Sequence, residues 1–277
     1  MRLSMVLLTA ALLIPGGSMA SMKDEKSNLE RSVCGFLREP LAFWLFRRAA
    51  GAPDPTRVVG IRDIVTLSFT TRDGRKLSGY KLRAAHPQGY LLVAQGNAML
   101  ADQIIGEFQL FRDLGLDVYL YDYRGYGLSE GNSRLKALIA DHQDIIAALN
   151  AQGYDRHFLY GLSLGGIILL NAVGAQGDYD ALAIDSSPSR ISTLGCPEAY
   201  DPVNHLPADC SRIQIIAGLR DRVVKSAEMG ELIRRAQGRG AEVLKDPHFA
   251  HPFQDASYAI HRRRFEAVAD FLARYLP

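Results

Sequence analysis

The sequence predicts an α/β fold, a mostly parallel sheet with helices on both faces and a minimal cap. Three observations carry that expectation. From residue 60 onward, short apolar runs bounded by turn residues alternate with longer helical patterns, the signature of repeated βα units. An Asp-Gly turn at Asp73-Gly74 joins two strand-like runs before that alternation begins. Finally, Gly161-Leu162-Ser163-Leu164-Gly165-Gly166 links a strand-like run to an apolar run that can continue as a buried helix.

The elements follow in order. Residues 61–69 and 76–82 flank Thr71-Arg72-Asp73-Gly74 and read as a hairpin. Residues 90–94 form a short buried strand, 101–114 a helix, and 118–121 another buried strand. An amphipathic helix over 135–149 precedes the strand 156–160. Strands at 182–184, 213–217 and 242–244 come next, with helices over 227–236 and 256–275. The one long non-periodic stretch, 187–211, has room for a small cap over a pocket but not for a second domain. A chain of 277 residues, 48% hydrophobic, supports one large core. The formal net charge is +2, with no basic block, which argues against nucleic acid as a partner.

The N-terminus stands apart from the fold, which we assign to 60–277. Arg2, an apolar run from Leu3 to Ile14, Pro15-Gly16-Gly17 and the small residues around Ser18-Met19-Ala20 outline an export signal over 1–20. The chain is then periplasmic or secreted; an uncleaved segment that anchors it to a membrane is the alternative. Residues 21–59 form a leader and an apolar arm. Within the arm, residues 33–48 hold Phe36, Leu37, Leu41, Phe43, Trp44, Leu45 and Phe46, closed by Arg47-Arg48. They read either as a membrane-surface segment with a basic edge or as an arm covering core surface. The arm is preferred, because no clean helical stripe is visible. Val33 is too large for the position before a lipid-modified Cys34. Cys196 and Cys210 lie 14 residues apart in one loop-like stretch, where a bridge would staple a local excursion; two free thiols are the alternative.

Chemistry concentrates around Ser163. A serine at a tight strand-to-helix turn presents its hydroxyl above a sheet, and flanking glycines let strand and helix cross closely. Such a serine needs a base, and the base an acid to orient it. Asp221, just after the strand 213–217, is the expected acid, with Asp185 at the preceding strand end as the alternative. The loop Pro247-His248-Phe249-Ala250-His251 offers two bases. His251 is preferred by position and His248 is the alternative. Backbone N–H groups of Leu164 and of Asn97, in Gln95-Gly96-Asn97-Ala98-Met99, are placed to hold an oxyanion, with Ala98 as a second choice to Asn97.

Together with Asp122-Tyr123-Arg124-Gly125-Tyr126-Gly127-Leu128-Ser129-Glu130-Gly131, these motifs resemble the serine α/β-hydrolase family, most closely its small-capped branch. The likeness spans roughly 60–276, and many relatives carry His-Gly where this chain has Gln95-Gly96. It implies the α/β-hydrolase fold and hydrolysis of a carboxylic ester or thioester on a small-molecule acyl substrate. An aminopeptidase-type serine peptidase and a hydrolase-like binding protein without catalysis are the alternatives. No metal-ligand spacing, phosphate loop or dinucleotide fingerprint is present in the sequence, so no metal or other cofactor is expected.

Overall fold

A computed structural model describes residues 24–26 and 28–277 of the chain; the expected export signal over 1–20 lies outside them. Eight strands form one sheet: β1 (Ile64–Thr70), β2 (Lys76–Leu82), β3 (Gly89–Ala94), β4 (Leu116–Tyr121), β5 (His157–Leu162), β6 (Ala181–Asp185), β7 (Ile213–Gly218) and β8 (Glu242–Asp246). Their spatial order is β1-β2-β4-β3-β5-β6-β7-β8. β2 pairs antiparallel with both β1 and β4, and every later pairing is parallel. The chain leaves β3 towards β4 and returns on the other side of β3 to make β5. That reversal opens a crevice beyond the carboxyl ends of β3 and β5, where open α/β sheets bind their ligands.

Helices cover both faces because strand side chains alternate. Tyr90, Leu92 and Ala94 of β3 join a cluster on one face with Leu135 and Ile139 of α4 (Leu135–Asn150), Ile167 of α5 (Leu164–Leu169) and Leu232 of α6 (Gly230–Gln237). Leu91 and Val93 point the other way. There they meet α2 (Ala101–Ile104), α3 (Gln109–Asp113) and α7 (Tyr258–Ala273) through Ile104, Phe111 and Phe265. The helix expected over 101–114 is therefore interrupted, with a tight 3-10 turn at Ile105–Phe108 between α2 and α3. Gly106 lies in that turn, where the missing side chain favours a break.

The arm departs from its sequence reading in one respect. It folds as helix α1 (Arg38–Ala50) and presents two faces. Phe43 and Ala50 turn inward onto Leu100, Tyr123, Tyr126 and Ile168. Glu39 is buried too, and accepts hydrogen bonds from the amides of Val33, Cys34 and Leu135 at 2.6, 2.8 and 2.7 Å. Leu37, Leu41, Trp44 and Leu45 face solvent. They recur at i, i+4, i+7 and i+8, so the helix does carry a stripe. It was hidden because the inward face holds a glutamate and an alanine among its contacts.

The cysteine pairing also differs from either sequence reading. Cys34 bonds to Cys196, and Cys210 is a buried free thiol. Cys210 sits below the excursion, its Sγ donating to the Pro207 carbonyl at 3.4 Å. Cys196 lies where the arm crosses, beside Leu194, whose carbonyl accepts from Arg38 Nη1 at 2.6 Å. Asp201 organises the excursion: it accepts from the amides of Ile191 and Ser192 at 2.8 and 2.7 Å and from Arg190 Nη1 at 3.0 Å. Because the bridge spans 162 residues, it restricts the unfolded chain strongly. A Cys34→Ala/Cys196→Ala variant is expected to lose roughly 2–5 kcal/mol of stability, read from urea unfolding of variant and oxidised parent; coincident curves would refute this.

Candidate active site

The elbow is set by close packing. A Cβ at Gly161 would stand 2.7 Å from the Gly166 backbone, and one at Gly165 would collide with the Ala94 carbonyl. Helix α5 thus lies against β5 and β3 with no side chain between, and the chain must reverse direction within a residue. Ser163 takes up that reversal at φ 53°, ψ −110°, a conformation a non-glycine residue holds only under constraint. Its own amide donates to the Asp185 carbonyl at 2.8 Å, and its carbonyl accepts from Ser187 Oγ at 2.7 Å. The backbone is pinned on both sides.

Asp221 and His251 meet. His251 Nδ1 lies 2.9 Å from Asp221 Oδ2, and both residues are buried. The other carboxylate oxygen accepts the amides of Val223 and Val224 at 2.8 and 2.9 Å. Burial works to raise the Asp221 carboxyl, but the His251 contact and the two amides outweigh it and hold the group below its usual range. A charged carboxylate only accepts, so Nδ1 is the donor in this contact. The meeting is built by backbone. Arg220 N donates to the Phe249 carbonyl at 2.9 Å, and Gly218 lets the loop lie on the end of β7, where a Cβ would stand 2.6 Å from the Ala250 carbonyl.

The other candidates lie elsewhere. His248 is exposed, with its amide on Asp246 Oδ1 at 2.7 Å. Asp185 is fully buried and committed to Arg264, whose Nη1 donates to it at 2.7 Å, and to the hydroxyls of Tyr160 and Ser186. No hydrogen bond to the Ser163 hydroxyl is present among the described residues; catalytic contacts of this kind commonly tighten when substrate binds.

Two groups were missed by sequence reasoning. Arg264 is buried and holds the loop that bears His251: it donates to the Ala250 carbonyl at 2.6 Å and to Asp255 at 3.0 and 3.1 Å. Its spacing to Val268, Phe271 and Leu272 places it on the buried face of α7, a signal the neighbouring Arg262 and Arg263 obscured. The run from Asp122 braces the loop after β3. Asp122 accepts the Ala101 amide at 2.7 Å and starts α2, and burial lifts its carboxyl to about 6. Tyr123 donates to the Gln95 carbonyl, and Tyr126 to Asn97 Oδ1 at 2.7 Å. Arg124, wholly buried, donates to Asp73 of the hairpin turn at 2.6 and 2.9 Å, to Asp141 of α4 at 3.0 Å and to Glu30 at 3.3 Å.

Of the two oxyanion donors expected after β3, the Ala98 amide is taken up by Asn97 Oδ1 at 3.0 Å. Leu164 opens α5, where first-turn amides have no partner within the helix. Gly96 lies against Ser163, since a Cβ there would be 3.9 Å from Ser163 Cβ.

Comparison with known proteins bears on the fold. Residues 85–193 match the family described as serine aminopeptidase, S33. An alpha-beta hydrolase from Vibrio vulnificus superposes with a TM-score of 0.67 at 16% identity, over 87% of this chain and 94% of that one. A serine hydrolase without a lid, XC6422 of Xanthomonas campestris, superposes with a TM-score of 0.60 at 18% identity, covering 78% and 96%. The chain has the α/β-hydrolase fold. The chain is also 28% identical over 186 residues to the human mitochondrial palmitoyl-protein thioesterase ABHD10, covering 64% of this chain and 56% of that one. It is 24% identical over 231 residues to YfhR of Escherichia coli, covering 75% and 80%.

The depressed Asp221 carboxyl gives a pH test of the His251–Asp221 pair. A carboxyl held below its ordinary 3.8 adds stability above that value and loses it as pH falls through the lower folded-state value. The stability gap between the parent and Asp221→Asn, read from urea midpoints, is therefore expected to narrow between about pH 5 and pH 3. A gap that stays constant or widens would count against the assignment.

Proposed function

We propose that the hydrolase cleaves carboxylic esters or thioesters through an acyl-enzyme on Ser163. The observations that carry this reading are the His251–Asp221 pair after the ends of β8 and β7 and the strained elbow at Ser163 after the end of β5. In the proposed step, Ser163 Oγ attacks the acyl carbon while His251 Nε2 takes its proton, and Asp221 holds Nδ1–H and stabilises the imidazolium. The Leu164 and Asn97 amides receive the charge that develops on the acyl oxygen. The tetrahedral intermediate then collapses: the carbon–oxygen or carbon–sulfur bond to the leaving group breaks, and that group departs with the proton from His251. Water, deprotonated by the same imidazole, attacks the acyl-enzyme and releases the acid and free Ser163.

The thioesterase name of the human relative and the esterase from Pyrococcus furiosus, which superposes with a TM-score of 0.61 at 18% identity over 76% of this chain, support acyl transfer. The matched family's description keeps an aminopeptidase reading in view, which amino-acid p-nitroanilides would reveal. Export fits the residue pattern over 1–20 and the Cys34–Cys196 bridge, since structural disulfides persist in oxidising compartments; N-terminal sequencing of the mature protein tests it.

A fluorophosphonate probe should label the unmutated protein and leave Ser163→Ala untouched. With p-nitrophenyl esters, Ser163→Ala and His251→Ala are each expected to lose roughly 10⁴–10⁶-fold in kcat, and His248→Ala less than threefold. An unlabelled parent would sink the catalytic reading, and a reversed pair of histidine effects would move the base to His248. Tyr126→Phe, which removes one bond from Asn97, is expected to lower kcat about tenfold, the equivalent of roughly 1.4 kcal/mol, with KM little changed. A kcat equal to the parent's would remove Asn97 from the oxyanion site.

A further inference from the structure

We propose that the outer face of helix α1 docks on an anionic lipid surface. Leu37, Leu41, Trp44 and Leu45 form a continuous stripe at 68%, 56%, 46% and 51% exposure, although a single-chain protein ordinarily turns such a stripe inward. The helix cannot roll to hide it. Its opposite face is held by buried Glu39 and Phe43, and the chain just before it is fastened by the Cys34–Cys196 bridge.

Charge selects the occupant. Glu39 is the only acid in α1 and it faces the protein, so the outer face is apolar and basic. Exposed Arg47 and Arg48 lie in the last turn, and the Arg48 guanidinium sits 5.7 Å from the centre of the Trp44 ring. An apolar stripe with an indole at its margin and arginines beside it matches acyl chains below and anionic headgroups above. A soluble protein partner or a second copy of this chain would instead be expected to answer the arginines with carboxylates close to the stripe.

Trp44 is the only tryptophan in the chain, so its emission reports this face alone. The full-length chain is mixed with vesicles of phosphatidylcholine, or of phosphatidylcholine with phosphatidylglycerol. Expected with the anionic vesicles are a blue shift of Trp44 and quenching by acyl-brominated lipid. Arg47→Glu/Arg48→Glu should weaken binding at least tenfold, and added salt should weaken it too. Leu41→Glu/Leu45→Glu, at exposed positions, should abolish the shift; Leu41→Ser, a milder change, should reduce it. Three results would overturn the proposal: Trp44 emission unmoved by anionic vesicles, even if the protein sediments with them through residues 3–14; an undiminished shift in the glutamate variant; or a blue shift that tracks protein concentration without vesicles, which marks self-association. None of these readouts depends on catalysis, so a protein inactive on esters still tests it.

Discussion

Helix α5 touches the backbone of β5 and β3 at three glycines, and the rest of the site is arranged around that contact. Gly161 and Gly165 leave no space for a side chain, and a Cβ at Gly166 would overlap the Ser187 hydroxyl. Residues held as Ser163 is cost of order 1–3 kcal/mol each, which only a well-packed surrounding can sustain. The packing is there: Ile167, Ile168 and Leu169 are all buried. One close approach thus fixes the Ser163 backbone, starts α5 at Leu164, and brings Gly96 of the neighbouring loop alongside.

The supporting groups share a second theme, buried ion pairs that tie distant segments. Arg124 joins the hairpin turn, helix α4 and Glu30; Arg264 joins the end of β6 to the loop that bears His251. Such pairs add little net stability compared with apolar packing, yet losing one partner strands a buried charge. Here their value lies in position. Each guanidinium donates in several fixed directions at once, so the loops it holds share a single geometry.

Much of this was legible because local rules and the fold agreed. The Asp-Gly hairpin, the apolar strands and the glycine spacing around Ser163 each have one physical explanation, and β1 to β8 lie where those patterns put them. What escaped notice involved residues whose partners are remote in sequence. Nothing near Cys34 reveals that the arm crosses the excursion at Cys196, and nothing near Asp73 reveals Arg124. Helix α1 was obscured for a different reason. Its inward face carries Glu39, whose carboxylate replaces the apolar contact a periodicity search looks for by capping three backbone amides. Arg264 was similarly masked, by two exposed arginines directly before it.

The Cys34–Cys196 bond also orders events in time. Cys34 precedes every strand and Cys196 follows β6, so a chain emerging from its N-terminus carries an unpaired thiol until six of eight strands have been made. The segment just before helix α1 is therefore fastened by a residue that follows β6 in the chain. Cys210 follows only 14 residues later, close enough in sequence to compete for either partner. In the folded protein Cys210 is buried, its Sγ on the Pro207 carbonyl, and stands apart from the bridge.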